Sequence, residues 1–489
     1  MNYRMIARLL GYVLLLIAGF LLLPVIVALI YGDGGLWSLV QTALVCGALG
    51  GLMMLLKPKD RTMHAKDGFV MVSLSWILIS LLGALPFRLN GAIPSYLEAV
   101  FETVSGFTTT GASILTNVEV IPHGLLFWRS FTHWLGGMGV LVFMLAVVPL
   151  SGESIYLLNA ESPGPSVSKM VPKMRTTALI LYGIYFAMTI LQICAYQLGN
   201  LCGWGEISFF DSVCLAFGSA GTGGFSVRNT GLADYSAYVQ TVTTVGMIMF
   251  GVNFSIYFFL IRRKFKLIRQ NTELKCYLAI ILGAIVIITA NLMLTGNAID
   301  GSFGETARHV SFSVGSIITT TGFSTVDFSR WPELSRTILV LLMICGACAG
   351  STGGGLKVSR IVILAKTARR ELQHLLHPHS VQVMKMDGKR VEREVIRGTQ
   401  AYLVFYILIA VTSIVIVSLD SFGADTTMTS VMATLNNIGP GTTILIGPSG
   451  CYHAFSPLSK IVLIMDMLFG RLELFPMLIL FRPSTWRKH

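Results

Sequence analysis

Ten predominantly apolar runs of about 20 residues, the length that carries a helix across a bilayer core, recur along this 489-residue sequence. They lie near 9–30, 37–56, 69–87, 125–149, 177–198, 239–261, 277–295, 336–368, 400–419 and 458–481. Hydrocarbon offers the backbone no hydrogen-bond partner, so such spans must satisfy themselves as helices. The expected class is an all-α polytopic membrane protein. Composition agrees: 12% of residues are charged, against about 25% in soluble chains, and no long polar stretch is left for a soluble domain. The first run, Leu9 to Ile30, follows a charged start like a signal peptide. It is too long for a signal core and no small-residue cleavage site follows, so it reads as a retained helix. The eight cysteines lack the spacing of a disulfide framework.

A net charge of +12 raises nucleic acid as a partner, and the positions of the charges decide. With both termini cytoplasmic, the inside segments hold Arg4 and Arg8, Lys57 to Lys66, Lys169 to Arg175, Arg262 to Lys275, Lys357 to Arg397, and Arg482 to Lys488. That is 28 of the 36 basic residues, as the positive-inside rule requires. The basic face lies on the cytoplasmic side of the membrane, and no nucleic acid is needed to explain it.

Four further segments lie on the outside, near 94–116, 206–228, 303–326 and 424–446. Each opens with about a dozen moderately apolar residues and ends in a Thr/Gly-rich run. A twelve-residue helix is about 18 Å long, against a hydrocarbon core of about 30 Å, so it enters the membrane without crossing. Ser95-Tyr96-Leu97-Glu98 has capping-box spacing at the first such start. Span, half-helix, Gly-bearing return and span occur four times.

The return loops align on their glycines. The first holds Thr109-Thr110-Gly111, the second Thr222-Gly223-Gly224, the third Thr320-Thr321-Gly322. The fourth departs from this form with Asn437-Ile438-Gly439, which leaves open whether it matches the other three. Glycine lets successive carbonyls turn toward one axis, and threonine adds a hydroxyl oxygen without charge. Four such strands make oxygen rings able to replace the hydration shell of a monovalent cation. None of the four runs carries a carboxylate, which argues against a ring selective for divalent ions. Gly and Thr also serve at ordinary helix contacts in membranes, but four copies at equivalent positions favour a filter.

These loops, with Glu102 to Gly111, His133-Trp134-Leu135-Gly136-Gly137-Met138-Gly139, Ile318 to Ser324, Gly350 to Lys357 and Gly470-Arg471-Leu472-Glu473, resemble the Trk/Ktr/HKT superfamily of potassium transporters. The likeness is greatest to the membrane subunits of bacterial Trk systems and covers essentially the whole chain. It implies an N-terminal helix pair (1–66) ahead of four pseudo-symmetric repeats: 67–150, 151–270 with a linker, 271–397 with a broken gate helix and a basic loop, and 398–489. It implies potassium as cargo with no organic cofactor, a homodimer in the lipid bilayer, and a cytosolic regulatory subunit that binds NAD or ATP.

The run Gly346 to Gly355 interrupts the span 336–368 with five glycines in ten residues, too many for a continuous helix. It also resembles a phosphate-binding loop, but Lys357 and Val358 stand out of register and no strand precedes it. Gly350, Ser351, Thr352, Gly353, Gly354 and Gly355 are read as a gate below the filter, which in the resembling family is thought to block the pore; the alternative is a packing contact. Arg471, an ionisable residue inside the last span, is a functional candidate. It either holds the gate carbonyls and opposes cations, or pairs with Glu473 or Asp466. Glu102 and His133 read as structural, Cys345-Gly346-Ala347-Cys348 as packing, and His374, His377 and His379 as solvated. The rival readings are a secondary transporter of another solute, which would need two inverted repeats, and a membrane enzyme, for which no catalytic cluster stands out.

Overall fold

The computed structural model describes residues 1–56, 65–139, 174–379 and 383–486. Residues 140–149 of the fourth expected span, the expected boundary at 150–151, and Lys57, Lys59, Arg61, Lys169, Lys173, Arg487 and Lys488 lie outside these stretches. The described chain is helical apart from one two-stranded hairpin. Among the described residues six helices are long and apolar enough to cross a membrane, including Tyr3–Tyr31, Leu36–Met54 and Thr272–Leu294, and a bent pair makes a seventh.

The N-terminal pair is α1 (Tyr3–Phe20), continued by α2 (Leu22–Tyr31), and α3 (Leu36–Met54). Their close crossing needs glycine: a Cβ on Gly11 would stand 2.8 Å from the Gly50 carbonyl oxygen. The four repeats follow. The first has α4 (Ala65–Gly83), α5 (Leu85–Asn90), the short α6 (Tyr96–Phe107) and α7 (His123–Gly137). The second has α8 (Met174–Leu201), the short α9 (Phe209–Gly221), α10 (Ala237–Phe250) and α11 (Phe254–Ile261), and α12 (Phe265–Gln270) leads out of it. The third has α13 (Thr272–Leu294), the short α14 (Phe303–Ile318), α15 (Glu333–Cys345) and α16 (Val358–Leu376). The hairpin β1 (Lys385–Met386) and β2 (Lys389–Arg390) precedes the fourth, made of α17 (Arg393–Val417), the short α18 (Ala424–Leu435), α19 (Pro457–Arg471) and α20 (Phe475–Phe481); α21 (Pro483–Trp486) ends the chain.

The short helices start where the sequence places the half-helices, but the first cap differs from expectation. Ser95 makes no side-chain cap bond; the Glu98 carboxylate instead accepts from Lys460 Nζ at 2.6 Å. An ion pair between repeats wins over a local cap. Leucine, isoleucine and valine side chains such as Leu44, Leu282 and Val415 remain exposed on the outer helix faces, where lipid covers them.

The second long segment of the second, third and fourth repeats is interrupted, where the sequence alone suggests this only for the third. The span 239–261 bends by 92° between α10 and α11, because Asn253 caps a new helix by accepting from the Ser255 N–H at 2.8 Å. The span 458–481 breaks at Glu473 and Leu474, both with positive φ (57° and 64°), and Pro476 sits in the first turn of α20. In the first repeat α7 stops at Gly137, with Gly139 at φ 78°.

Candidate functional site

All four short helices end in one way. The second residue after each helix is left-handed: Thr109 (φ 56°) and Thr320 (58°), with Asn437 (54°), or, in the second repeat, the first residue, Thr222 (54°). The N–H of the following residue returns five positions: Thr110 to Ser105, Gly223 to Gly218, Thr321 to Ser316 and Ile438 to Ala433, at 2.8–2.9 Å. This is a Schellman closure. Asparagine tolerates the left-handed region better than most residues, so the divergent fourth loop takes the same backbone path.

Each loop then reaches a glycine with positive φ: Gly111 (78°), Gly224 (78°), Gly322 (86°) and Gly439 (96°). These four close a ring. A Cβ on Gly111 would lie 2.0 Å from the Gly223 carbonyl oxygen, on Gly224 2.0 Å from that of Thr321, and on Gly322 2.0 Å from that of Ile438. On Gly439 it would lie 2.6 Å from that of Thr110. The loops therefore stand in chain order around one axis, each backbone against the next, and the fourth against the first. Asn437 Nδ2 adds a bond to Thr110 Oγ1 at 3.0 Å across that last junction. Above the ring a cavity of about 550 Å³ opens outward, lined by all four glycines.

Behind the ring, polar side chains hold the loops from outside. Glu102 accepts from Arg129 Nε at 2.6 Å and from the Ile114 N–H at 2.8 Å. Arg129 also donates to Ser226 O and lies 3.6 Å over the Phe225 ring, so it joins the first two loops. His133 bridges the same pair: Nδ1 donates to Gly106 O at 2.8 Å and Nε2 accepts from the Phe225 N–H at 3.2 Å. Both groups are structural, as the sequence suggests. Tyr452 donates to Gly439 O at 2.8 Å in the fourth repeat.

Below the ring the end of α7 meets the three helix interruptions. The loop 346–357 crosses from α15 to α16 directly under the return loops: the Gly354 N–H donates to Thr320 Oγ1 at 2.6 Å. A Cβ on Gly353 would lie 2.8 Å from Thr319 O. The loop also rests on the second repeat, where Cys348 N–H donates to Gly251 O at 3.1 Å and Phe254 N–H to Gly350 O at 3.0 Å. Arg471, at the end of α19, donates to Thr352 O at 2.7 Å, Gly137 O at 2.6 Å, Gly136 O, and Thr109 Oγ1 at 3.3 Å. One guanidinium thus touches the first return loop, the loop 346–357 and the end of α7. Neither carboxylate weighed as its partner takes that place. Glu473 pairs with Arg360, and Asp466 accepts from Ser413 Oγ at 2.7 Å.

Lys357 and Arg360, read from sequence as part of the exposed cytoplasmic run, are instead buried. Lys357 Nζ donates back to Gly353 O inside the loop, and Arg360 lies 3.9 Å over Tyr402. Their signal was adjacency to the glycine run, which proximity in sequence alone could not separate from the basic loop that follows. Cys345 and Cys348 are buried and free, and His374, His377 and His379 are exposed. Among the described residues no three His, Cys, Asp or Glu side chains group as metal ligands.

The family model for TrkH, a cation transport protein, matches residues 38–488. The Trk system potassium uptake protein TrkH of Salmonella typhimurium is 34% identical over the whole of both chains. The Trk system potassium uptake protein TrkG of Escherichia coli K12 is 30% identical over 99% of each. A crystal structure of the potassium transporter TrkH from Vibrio parahaemolyticus superposes over 100% of both chains with a TM-score of 0.88 at 30% identity.

Proposed function

This chain belongs to the TrkH family of cation transport proteins, and on that footing we propose how its loops and its gate carry out potassium uptake. The function follows from the family: the chain is a multi-pass protein of the cytoplasmic membrane that takes up potassium by a channel-like route. It is not an enzyme, and potassium is cargo rather than cofactor.

The filter is formed by Thr109 to Gly111, Thr222 to Gly224, Thr320 to Gly322 and Asn437 to Gly439, whose carbonyl and hydroxyl oxygens replace the water of a dehydrating potassium ion. The observation that carries this reading is the closed ring in which each filter glycine abuts the next loop's carbonyl. Replacing Gly111, Gly224 or Gly322 with serine forces that neighbouring carbonyl aside. The test is potassium against sodium flux into proteoliposomes. Each variant loses preference for potassium, and wild-type selectivity in all three removes these loops as the filter.

The gate is the loop Gly350 to Gly355, held across the path by Arg471. An inside-negative potential drives uptake: about 2.3 kcal/mol per charge at 100 mV concentrates potassium about forty- to fifty-fold, so proton coupling is not required. The working assembly is a homodimer with a cytosolic subunit that binds NAD or ATP. Family resemblance supports this, as does the exposed basic face of Arg390, Arg393 and Arg397. Charge reversal at these three residues releases the subunit while potassium flux persists.

A further inference from the structure

An acid outside the residues proposed as filter and gate contacts the loop 346–357 from the cytoplasmic side. Glu273 lies in the first turn of α13 and is 5% exposed. A single carboxylate oxygen, Oε1, accepts from the Ala349 N–H at 2.6 Å and from the Ser359 N–H at 3.1 Å. Ala349 is on the limb of the loop that descends from α15, and Ser359 is in the first turn of α16, beyond its other end. One atom therefore staples together the two ends of the loop, and as an anion at the start of α16 it also suits that helix's dipole.

The residue before Glu273 is attached elsewhere. Thr272 is the first residue of α13, so its N–H has no partner within the helix. It donates to Asp387 Oδ1 at 2.7 Å, at the turn of the β1–β2 hairpin. The hairpin is tied to α16 as well, through Lys366 Nζ on Lys385 O at 2.8 Å. A cytoplasmic cleft of about 490 Å³ separates hairpin from loop, with Asp387, Met386, Glu273, Ala349 and Ser359 on its walls.

We infer that Glu273 is the positioning residue of the gate, a staple across the ends of the loop 346–357, and that the hairpin turn at Asp387 sets the staple through Thr272. The inference rests on reading Gly350 to Gly355 as the gate. Displacing the hairpin pulls Thr272, carries Glu273 away from one or both amides, and frees the loop to leave the path.

The test is rubidium flux into proteoliposomes carrying the purified full chain, with selectivity over sodium measured in parallel. Loss of two hydrogen bonds to one charged acceptor sets the scale. Glu273→Ala raises flux about tenfold with the preference over sodium unchanged. Glu273→Gln, which keeps an acceptor oxygen at the same place, restores most of the closure. Asp387→Gly removes the acceptor at an exposed turn whose φ of 53° suits glycine, and raises flux about threefold. It also serves as the deciding variant if Glu273→Ala does not purify as a monodisperse protein. Deletion of Gly350 to Gly355 is the reference for an open gate, and Glu273→Ala adds nothing to it. If the deletion raises flux while folded Glu273→Ala and Asp387→Gly stay at the wild-type level, the staple is overturned and the gate stands. If the deletion itself leaves flux unchanged, both readings fall. Glu273→Gln as open as Glu273→Ala also overturns the inference, because a shared acceptor oxygen would then not be what holds the loop.

Discussion

Arg471→Ala is the perturbation that most directly weighs the gate. The guanidinium lies 3.3 Å from Thr109 Oγ1, an oxygen of the first loop of the proposed filter. A cation seated against that hydroxyl is about 6 Å from the charge, and at an effective dielectric of about 20 the repulsion is about 2.8 kcal/mol. That corresponds to about a hundredfold in occupancy. Alanine also releases the carbonyls of Gly136, Gly137 and Thr352, and water entering the widened path takes their hydrogen bonds. Both effects have one sign. Rubidium uptake by proteoliposomes under an imposed inside-negative potential should rise by at least tenfold and at most about a hundredfold. Arg471→Lys keeps the charge but not the planar reach to several acceptors, so it falls between alanine and wild type. A folded Arg471→Ala protein with flux within about twofold of wild type would refute the electrostatic argument.

Three further outcomes follow from the same geometry. Gly439→Ala should cost less selectivity than Gly322→Ala, because its Cβ meets the next carbonyl at 2.6 Å rather than 2.0 Å; the potassium-to-sodium flux ratio of the two variants decides it. Arg129→Met should lower stability by about 3–5 kcal/mol by leaving Glu102 buried without its cation, seen as a fall in thermal midpoint in detergent, whereas an unchanged midpoint would show the pair to be dispensable. Deleting Gly350 to Gly355 should raise rubidium flux without altering selectivity, and unchanged flux in a folded protein would reduce the loop to a packing element.

The ring proposed as the filter was legible in sequence because its chemistry and its backbone demand coincide: threonine for neutral oxygen, glycine for positive φ. The fourth loop looked divergent only when judged by side chains, since Asn437 occupies the left-handed position that Thr109 and Thr320 occupy. The interruptions of the spans 239–261 and 458–481 were not legible from hydropathy, because both halves of each remain apolar. Their signals were local and weak, an asparagine able to cap at 253 and a proline at 476. Harder still was Glu273. Its role depends on two amides 76 and 86 residues away, and no periodicity in a sequence reports a contact of that range. Lys357 and Arg360 were misplaced for the opposite reason, as charge near a membrane edge usually means solvent.

Joining the four quadrants in one polypeptide has a consequence that a ring of identical subunits could not reproduce. Above, the quadrants are nearly interchangeable, since each presents the same bend to its neighbour. Below, each does something different: the first offers helix-end carbonyls, the second a bent shelf, the third a crossing strap and the fourth a guanidinium that binds carbonyls of the first and third. Four copies of Arg471 facing one axis would repel one another, and four copies of the crossing loop would collide. Covalent linkage therefore separates two design problems, letting the upper half keep the equality that an ion needs while the lower half assigns one task to each side.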